Sequence, residues 1–359
     1  MKNSLSLQTI AVAIGLVFGM YAANAELMVG DKAPKLQVGR WIQGEPVPGF
    51  DSNHVYVVEF WATWCGPCVG SIPHLNQVSK KFKDDGVIVI GQDVWDSDEA
   101  VAPFVKKMGD MMVYRVALDD KRQDADGAMS KTWWKRSVNH HGIPTAFIIN
   151  RSGIIAWIGH PLSLNEQTLT DIVSGEYDLA KAAVEYKKAL EENEKFQALQ
   201  EGLFSAIKQK KWDDADSALG KISEMYPKSQ GFTSIHLQVL LGQKKIDEAC
   251  QLADSFSNAK STNAMWQNDL AWTMATSDNV DQHCLGLAEK MAERAVRLTD
   301  GKNPAELDTL ARVQFLLGKK DEAIATEQNA AGLETDQYRK SNMEKTLASY
   351  REGKLPKVE

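Results

Sequence analysis

The 359 residues include 41 Lys and Arg against 48 Asp and Glu, a formal charge of −7 that becomes −8 if Lys2 leaves with a leader. An acidic balance excludes nucleic acid and anionic membrane surfaces as natural partners, because their phosphates repel it. Four cysteines in so long a chain exclude a disulfide scaffold, and the length suits two domains.

Residues 1–25 read as a secretory signal peptide. Lys2 supplies the positive start, Ile10 to Met20 the apolar core, and Ala23-Asn24-Ala25 a small-x-small cleavage site before Glu26. The segment is too short for a membrane span, and no later stretch approaches spanning length. A chain without a membrane span after cleavage, in the periplasm or otherwise secreted, is expected; an uncleaved anchor is the other reading. No lipobox cysteine is present.

Gly30 to Val47 offers short Trp- and Pro-containing segments suited to an added hairpin. Val55 to Phe60 is a strand, and Cys65 to Lys83 a helix interrupted near Pro73. Gly86 to Gly91 is an apolar strand of the buried kind. Asp98 to Met108 is helical, capped by Ser97 or Asp98. Met112 to Leu118 is the next strand and Ala128 to Val138 the next helix, with Trp133 and Trp134 as packing residues. Thr145 to Asn150 and Ile154 to Gly159 form a hairpin about Arg151-Ser152-Gly153. This alternation predicts a central mixed sheet flanked by helices.

Near Ser174-Gly175 the strand signals end. Leu179, Ala182, Ala183, Tyr186 and Leu190 form a helical stripe, so residues 174–200 read as a linking helix. One phrase then recurs: Lys210-Lys211-Trp212-Asp213-Asp214-Ala215, Lys244-Lys245-Ile246-Asp247-Glu248-Ala249 and Lys319-Lys320-Asp321-Glu322-Ala323. Ala215 and Ala249 stand 34 positions apart, and Pro227 falls where such a repeat ends. Leu307 to Ala311 with Leu317 to Ala323 and Ala330 make the clearest copy. A further copy uses Ala271 and Ala288, with an insertion from Ser277 to Cys284. The period is that of tetratricopeptide repeats, so residues 201–352 are expected to stack as three to four helix pairs with a concave surface. Such a surface suits a peptide or protein ligand; a spacer or dimerisation element is the plainer reading. Cys250 and Cys284 are either buried free thiols or one bridge, and the sequence leaves both open.

The chemistry lies in Phe60-Trp61-Ala62-Thr63-Trp64-Cys65-Gly66-Pro67-Cys68, directly after an apolar strand. A Cys-x-x-Cys serves zinc, haem or redox sites. Val69 stands where haem attachment needs His, and no second ligand pair lies at zinc spacing. Thiol–disulfide exchange remains, with no cofactor and no metal. Pro67 sits early in the helix, where its missing N–H costs little. The helix N-terminus favours negative charge, so Cys65, on the exposed side of the turn, is the expected nucleophile and Cys68, one turn inward, the resolving thiol. Glu59 is a lone carboxylate in an apolar strand, where burial should raise its pKa.

The stretch from Leu27 to about Val173 resembles secreted thioredoxin-fold reductases of the TlpA-like or redoxin kind. It does so through the cysteine motif and through His141-Gly142-Ile143-Pro144-Thr145-Ala146-Phe147 downstream. The resemblance implies a thioredoxin-like domain over 26–173, a cis Pro144 packed beside the reactive cysteine, and a proton-relay role for Glu59 toward the second thiol. It marks Trp64, Gly66, Pro67 and Thr145 as supporting residues. Disulfide-containing protein clients and an upstream thiol–disulfide electron donor are its implied partners. Two features depart from the pattern. Ser71 stands where reductases serving cytochrome c assembly commonly carry a glutamate, and Asn139-His140-His141-Gly142 lengthens the approach to Pro144; both bear on the client groove. His140 and His141 read as solvated loop residues, with tuning of the thiolate as the other reading.

Two function classes follow: an oxidoreductase whose repeats recruit partners, and a binding scaffold with a thioredoxin-like docking module. The intact dithiol favours the first. Gly66-Pro67 resembles reducing thioredoxins, with an oxidase or isomerase as the alternative direction. A peroxidase is disfavoured, since Ala62 and Val58 replace the threonine and proline that redoxin peroxidases use.

Overall fold

The computed structural model describes residues 26–137 and 142–357. The leader of residues 1–25, and Asn139, His140 and His141, lie outside the described residues. The chain divides into two compact units between Asn193 and Glu194.

The first unit is built on six strands: β1 Val38–Gln43, β2 Val55–Trp61, β3 Val87–Asp93, β4 Arg115–Asp119, β5 Thr145–Ile149 and β6 Ile155–Gly159. Their spatial order is β1-β4-β3-β2-β5-β6. β2, β3 and β4 are mutually parallel, whereas β1, β5 and β6 join antiparallel. Helices α1 Gly66–Lys81, α2 Asp98–Met108, α3 Ala128–Thr132 and α4 Glu166–Ser174 complete the thioredoxin-like α/β fold. Helix α5 Leu179–Lys208 gives its first half to this unit.

Every residue of β2 is buried, as expected for a central strand covered on both faces. Alternation then sorts its side chains. Val55, Val57 and Trp61 meet Ile72 and Leu75 of α1, Val101 and Val105 of α2, and Leu169 of α4. Tyr56, Val58 and Phe60 meet Met129 of α3, Trp133, and the start of α5 at Ala182, Ala183 and Tyr186. By this parity Glu59 faces the layer under α1, which decides the chemistry of the site.

Three local expectations are corrected. Gly30 to Val47 forms no hairpin; its one strand, β1, pairs with β4, and the Glu45-Pro46-Val47-Pro48 run that follows cannot supply a ladder of donors. Helix α1 runs unbroken through Pro73, losing only the bond that this residue would make to Val69. The helix from Ala128 ends at Thr132 and tightens into a 3-10 turn over Trp134–Arg136, which turns Trp133 into the core.

The second unit is all helical. After the end of α5 come α6 Trp212–Met225, α7 Thr233–Gly242, α8 Ile246–Ala259, α9 Ala264–Ala275, α10 Gln282–Leu298, α11 Pro304–Leu316, α12 Lys320–Leu333 and α13 Gln337–Arg351. Consecutive helices pack together, and α7 packs on α9 and α9 on α11. The small residues Ala215, Ala249, Ala271, Ala288 and Ala323 are fully buried at these crossings. Before Ala215, Ala249 and Ala323 the chain makes one and the same turn. Lys210, Lys244 and Gly318 adopt positive φ (54°, 62° and 81°), and the two following-turn bonds close onto the preceding helix each time, as in a Schellman cap. Cys250 and Cys284 form a disulfide between α8 and α10, with Cα atoms 5.7 Å apart and both residues buried. The exposed Asp281 lies beside them and caps the Cys284 N–H at 2.8 Å. Among the described residues no helix is long and apolar enough to cross a membrane.

Candidate active site

Strand β2 ends at Trp61 and the chain turns through Ala62, Thr63 and Trp64 to Cys65, the N-cap of α1. Cys65 and Cys68 are joined as a disulfide, with Cα atoms 5.2 Å apart. Cys65 Sγ accepts the Cys68 backbone N–H at 3.2 Å, so a donor of the helix terminus is already aimed at this sulfur. The Ile143–Pro144 peptide bond is cis, and the Ile143 carbonyl oxygen stands 3.6 Å from Cys65 Sγ. That contact corrects one expectation: Cys65 is not on an exposed side of the turn but only 5% exposed, because the Pro144 loop closes over it. Cys68 is fully buried, while Trp64 is 64% exposed. Gly66 has no neighbour where a side chain would project, and Pro67 occupies the first helical turn. Thr145 begins β5, and its hydroxyl donates to the Gly142 carbonyl at 3.0 Å.

Glu59 lies beneath this turn with no solvent exposure, between Gly91 of β3 and Ala146 of β5. Burial pushes its carboxyl up to about 8, against a smaller opposing effect of the Ser71 hydroxyl. Ser71 Oγ stands 3.1 Å from Glu59 Oε1 and 2.7 Å from the Cys68 carbonyl. A hydroxyl carries one proton. When Ser71 donates it to the carbonyl, Glu59 must be the protonated partner that donates to Ser71; an ionised Glu59 would instead draw the serine proton to itself. The hydroxyl therefore links the acid to the backbone of Cys68. Among the described residues Glu59 Oε2, Trp61 Nε1 and the Tyr114 hydroxyl have no hydrogen-bond partner, and burial raises the Tyr114 phenol well above its ordinary range.

Sequence reasoning missed a second acidic group here. Asp96 is buried and accepts from Thr63 N–H at 2.6 Å and Thr63 Oγ1 at 3.1 Å, fixing the turn before Cys65. Asp93, at the end of β3, is pushed up to about 9 by burial and by the neighbouring Asp96 carboxylate. Trp95 lies between them and stacks on Trp64. The signal that could have found these residues was positional: parallel strands carry their sites at their carboxyl ends, and Asp93 to Asp96 follow such an end beside Cys65.

Residues 29–158 match the AhpC/TSA family. Protein FixW of Rhizobium leguminosarum is 31% identical over 157 residues, which are 43% of this chain and 69% of that protein. The thiol-disulfide oxidoreductase ResA of Bacillus cereus is 30% identical over 145 residues, 40% of this chain and 76% of that protein. The chain belongs to the AhpC/TSA family. A crystal structure of a thiol:disulfide interchange protein of the thioredoxin family from Chlorobium tepidum aligns over 40% of this chain and 94% of its own, at 25% identity and a TM-score of 0.29. With its family relatives and the Cys65–Cys68 centre, the activity of this AhpC/TSA member is thiol–disulfide oxidoreduction. The matches cover the first unit and leave the helical unit to be read from its own residues.

Proposed function

We propose that this protein is an exported, periplasmic disulfide reductase whose helical unit, read as tetratricopeptide-like repeats over 201–352, engages protein partners. The observation that carries the redox reading is the aim of the Cys68 N–H at Cys65 Sγ from the first turn of α1. A thiolate at that point exchanges water for fixed dipoles and a charge-assisted bond, which lowers its pKa relative to a free thiol.

In the reduced enzyme the Cys65 thiolate attacks one sulfur of a client disulfide. A bond forms between Cys65 Sγ and that sulfur, the client S–S bond breaks, and the second client sulfur leaves as a thiolate that takes a proton. Cys68 then loses its proton, attacks Cys65 Sγ, and expels the first client sulfur. Glu59 is the acceptor for the Cys68 proton: it lies under the same turn and reaches the Cys68 backbone through Ser71. Its raised pKa, near the working pH, lets it both take and return a proton. Pro144, with the Ile143 carbonyl, forms the wall against which the client chain is held, supported by Trp64, Gly66, Pro67 and Thr145. The enzyme finishes as the Cys65–Cys68 disulfide, and two electrons from an upstream dithiol donor restore it.

Export is supported by the leader pattern of residues 1–25, and partner binding by the recurrence of the capped helix turn in three copies. The test is insulin reduction with dithiothreitol as the electron source. Wild type should turn over, and Cys65→Ser should lose this activity completely; undiminished turnover in Cys65→Ser removes the assignment. The direction is read from the Cys65–Cys68 reduction potential against glutathione, where a strongly oxidising value makes the protein an oxidase or isomerase.

A further inference from the structure

Beside Cys65 three tryptophans form a continuous ledge. Trp64 and Trp95 are stacked, with centroids 6.0 Å apart and planes at 17°. Trp134 meets Trp95 edge to face at 4.8 Å, and its Nε1 donates to the Gly142 carbonyl at 3.1 Å. That carbonyl also accepts from Thr145, so the ledge joins the turn before Cys65 to the loop before Pro144. Trp134 is buried, whereas Trp95 is 40% exposed and Trp64 64%.

Trp95 is displayed at a conformational cost. Its φ is 61°, and the Asp96 N–H closes onto the Val94 carbonyl at 2.8 Å, a three-residue turn about a left-handed residue. Turns of this kind are rare and strained, and a bulky residue disfavours the left-handed region further. The strain persists because its flanks are tied down. Val94 N–H bonds the Trp61 carbonyl at 3.0 Å, the Asp96 carboxylate holds Thr63, and Lys121 Nζ donates to the Asp96 carbonyl at 2.7 Å. A core needs no such arrangement for a half-exposed side chain. Strain of this sort, held by surrounding bonds at the rim of a reactive centre, points to a binding role.

We propose that the exposed part of Trp95, braced on Trp64, selects the client polypeptide: an extended segment with an aromatic or large aliphatic side chain next to the half-cystine that Cys65 attacks. The proposal rests on Cys65 being the attacking sulfur. The occupant follows from position and chemistry. The client's sulfur must reach Cys65 Sγ, so the residue beside it comes over the adjoining ledge. That ledge offers uncharged aromatic surface, which rewards apolar and aromatic contact and gives little to a charged or small side chain. Trp95 is then a specificity-determining residue, distinct from the groups that move electrons or protons.

The test uses the full-length protein and two disulfide-linked peptides that differ only in having Phe or Gly next to each cysteine. Wild type should show a kcat/KM ratio, Phe over Gly, of about tenfold, the order expected of one aromatic contact. Trp95→Ala and Trp95→Gly should bring that ratio close to one, chiefly through KM. Trp95→Gly should also melt above Trp95→Ala, since both lose the same ring contacts and only glycine accepts positive φ without strain. A wild-type ratio near one, or an unchanged ratio in the variants, overturns the proposal. So does a lower melting temperature in Trp95→Gly than in Trp95→Ala, which would mean that the left-handed turn stores no strain. Wild-type inactivity toward both peptides would instead remove the redox reading on which the proposal stands.

Discussion

The buried acid gives the sharpest test, through Glu59→Gln. In the disulfide form Glu59 has no exposed atom and titrates at about 8, against an ordinary value of 4.5 in the unfolded chain. Between those values the folded state holds a proton that the unfolded state has released. Stability should therefore be fully present below pH 4.5, fall as pH rises through the window, and level off above about 8. Within the window the slope approaches about 1.4 kcal/mol per pH unit. From pH 5.5 to 7.5 the loss integrates to roughly 2–3 kcal/mol. Glutamine cannot ionise, so Glu59→Gln should lack this fall. The amide's own bonds with Ser71 add an offset, but it does not vary with pH and drops out of the comparison. The assay is urea-dependent hydrogen exchange of the β2 amides, in wild type and variant, at both pH values. Equal pH dependence in the two proteins would refute the argument that this carboxyl is neutral because it is buried. The same variant should slow release of the mixed disulfide without preventing its formation, as the role proposed for Glu59 toward Cys68 requires.

Two further outcomes concern the helical unit. Cys250 and Cys284 close a loop with a sequence separation of 34, which constrains the unfolded chain by about 4 kcal/mol. The Cys250→Ala/Cys284→Ala double variant should lose about that much on calorimetry. Lys244 holds the left-handed place that Gly318 fills in a later copy, so Lys244→Gly should stabilise by about 1 kcal/mol, read from the urea midpoint. An unchanged or lower midpoint would mean that the lysine side chain contributes more to the fold than its backbone costs.

Much of this protein was legible in the chain. An unbroken apolar run marked β2, a capping residue α2, and the Arg151-Ser152-Gly153 turn the β5–β6 hairpin, because each of these signals is local to its element. The cysteine motif named the chemistry, since few sites use two thiols at the mouth of a helix. The phrase whose variants end at Ala215, Ala249 and Ala323 likewise announced helix starts, the small residue being what lets neighbouring helices approach. Where partners distant in sequence decide the outcome, local pattern fell short. Gly30 to Val47 read as a hairpin because its edge pairing with β4 lies far along the chain. The closure of the Ile143 carbonyl over Cys65, the proton shared by Glu59, Ser71 and the Cys68 carbonyl, and the Cys250–Cys284 pairing were equally invisible. Trp95 stood out only in the tertiary structure, which bends its backbone and lays it on Trp64. Sequence by itself determined which groups could do chemistry, because reactivity belongs to the residue. Only folding decided which of them are dry, which are neutral and which face a client, because solvation and contact belong to the neighbours.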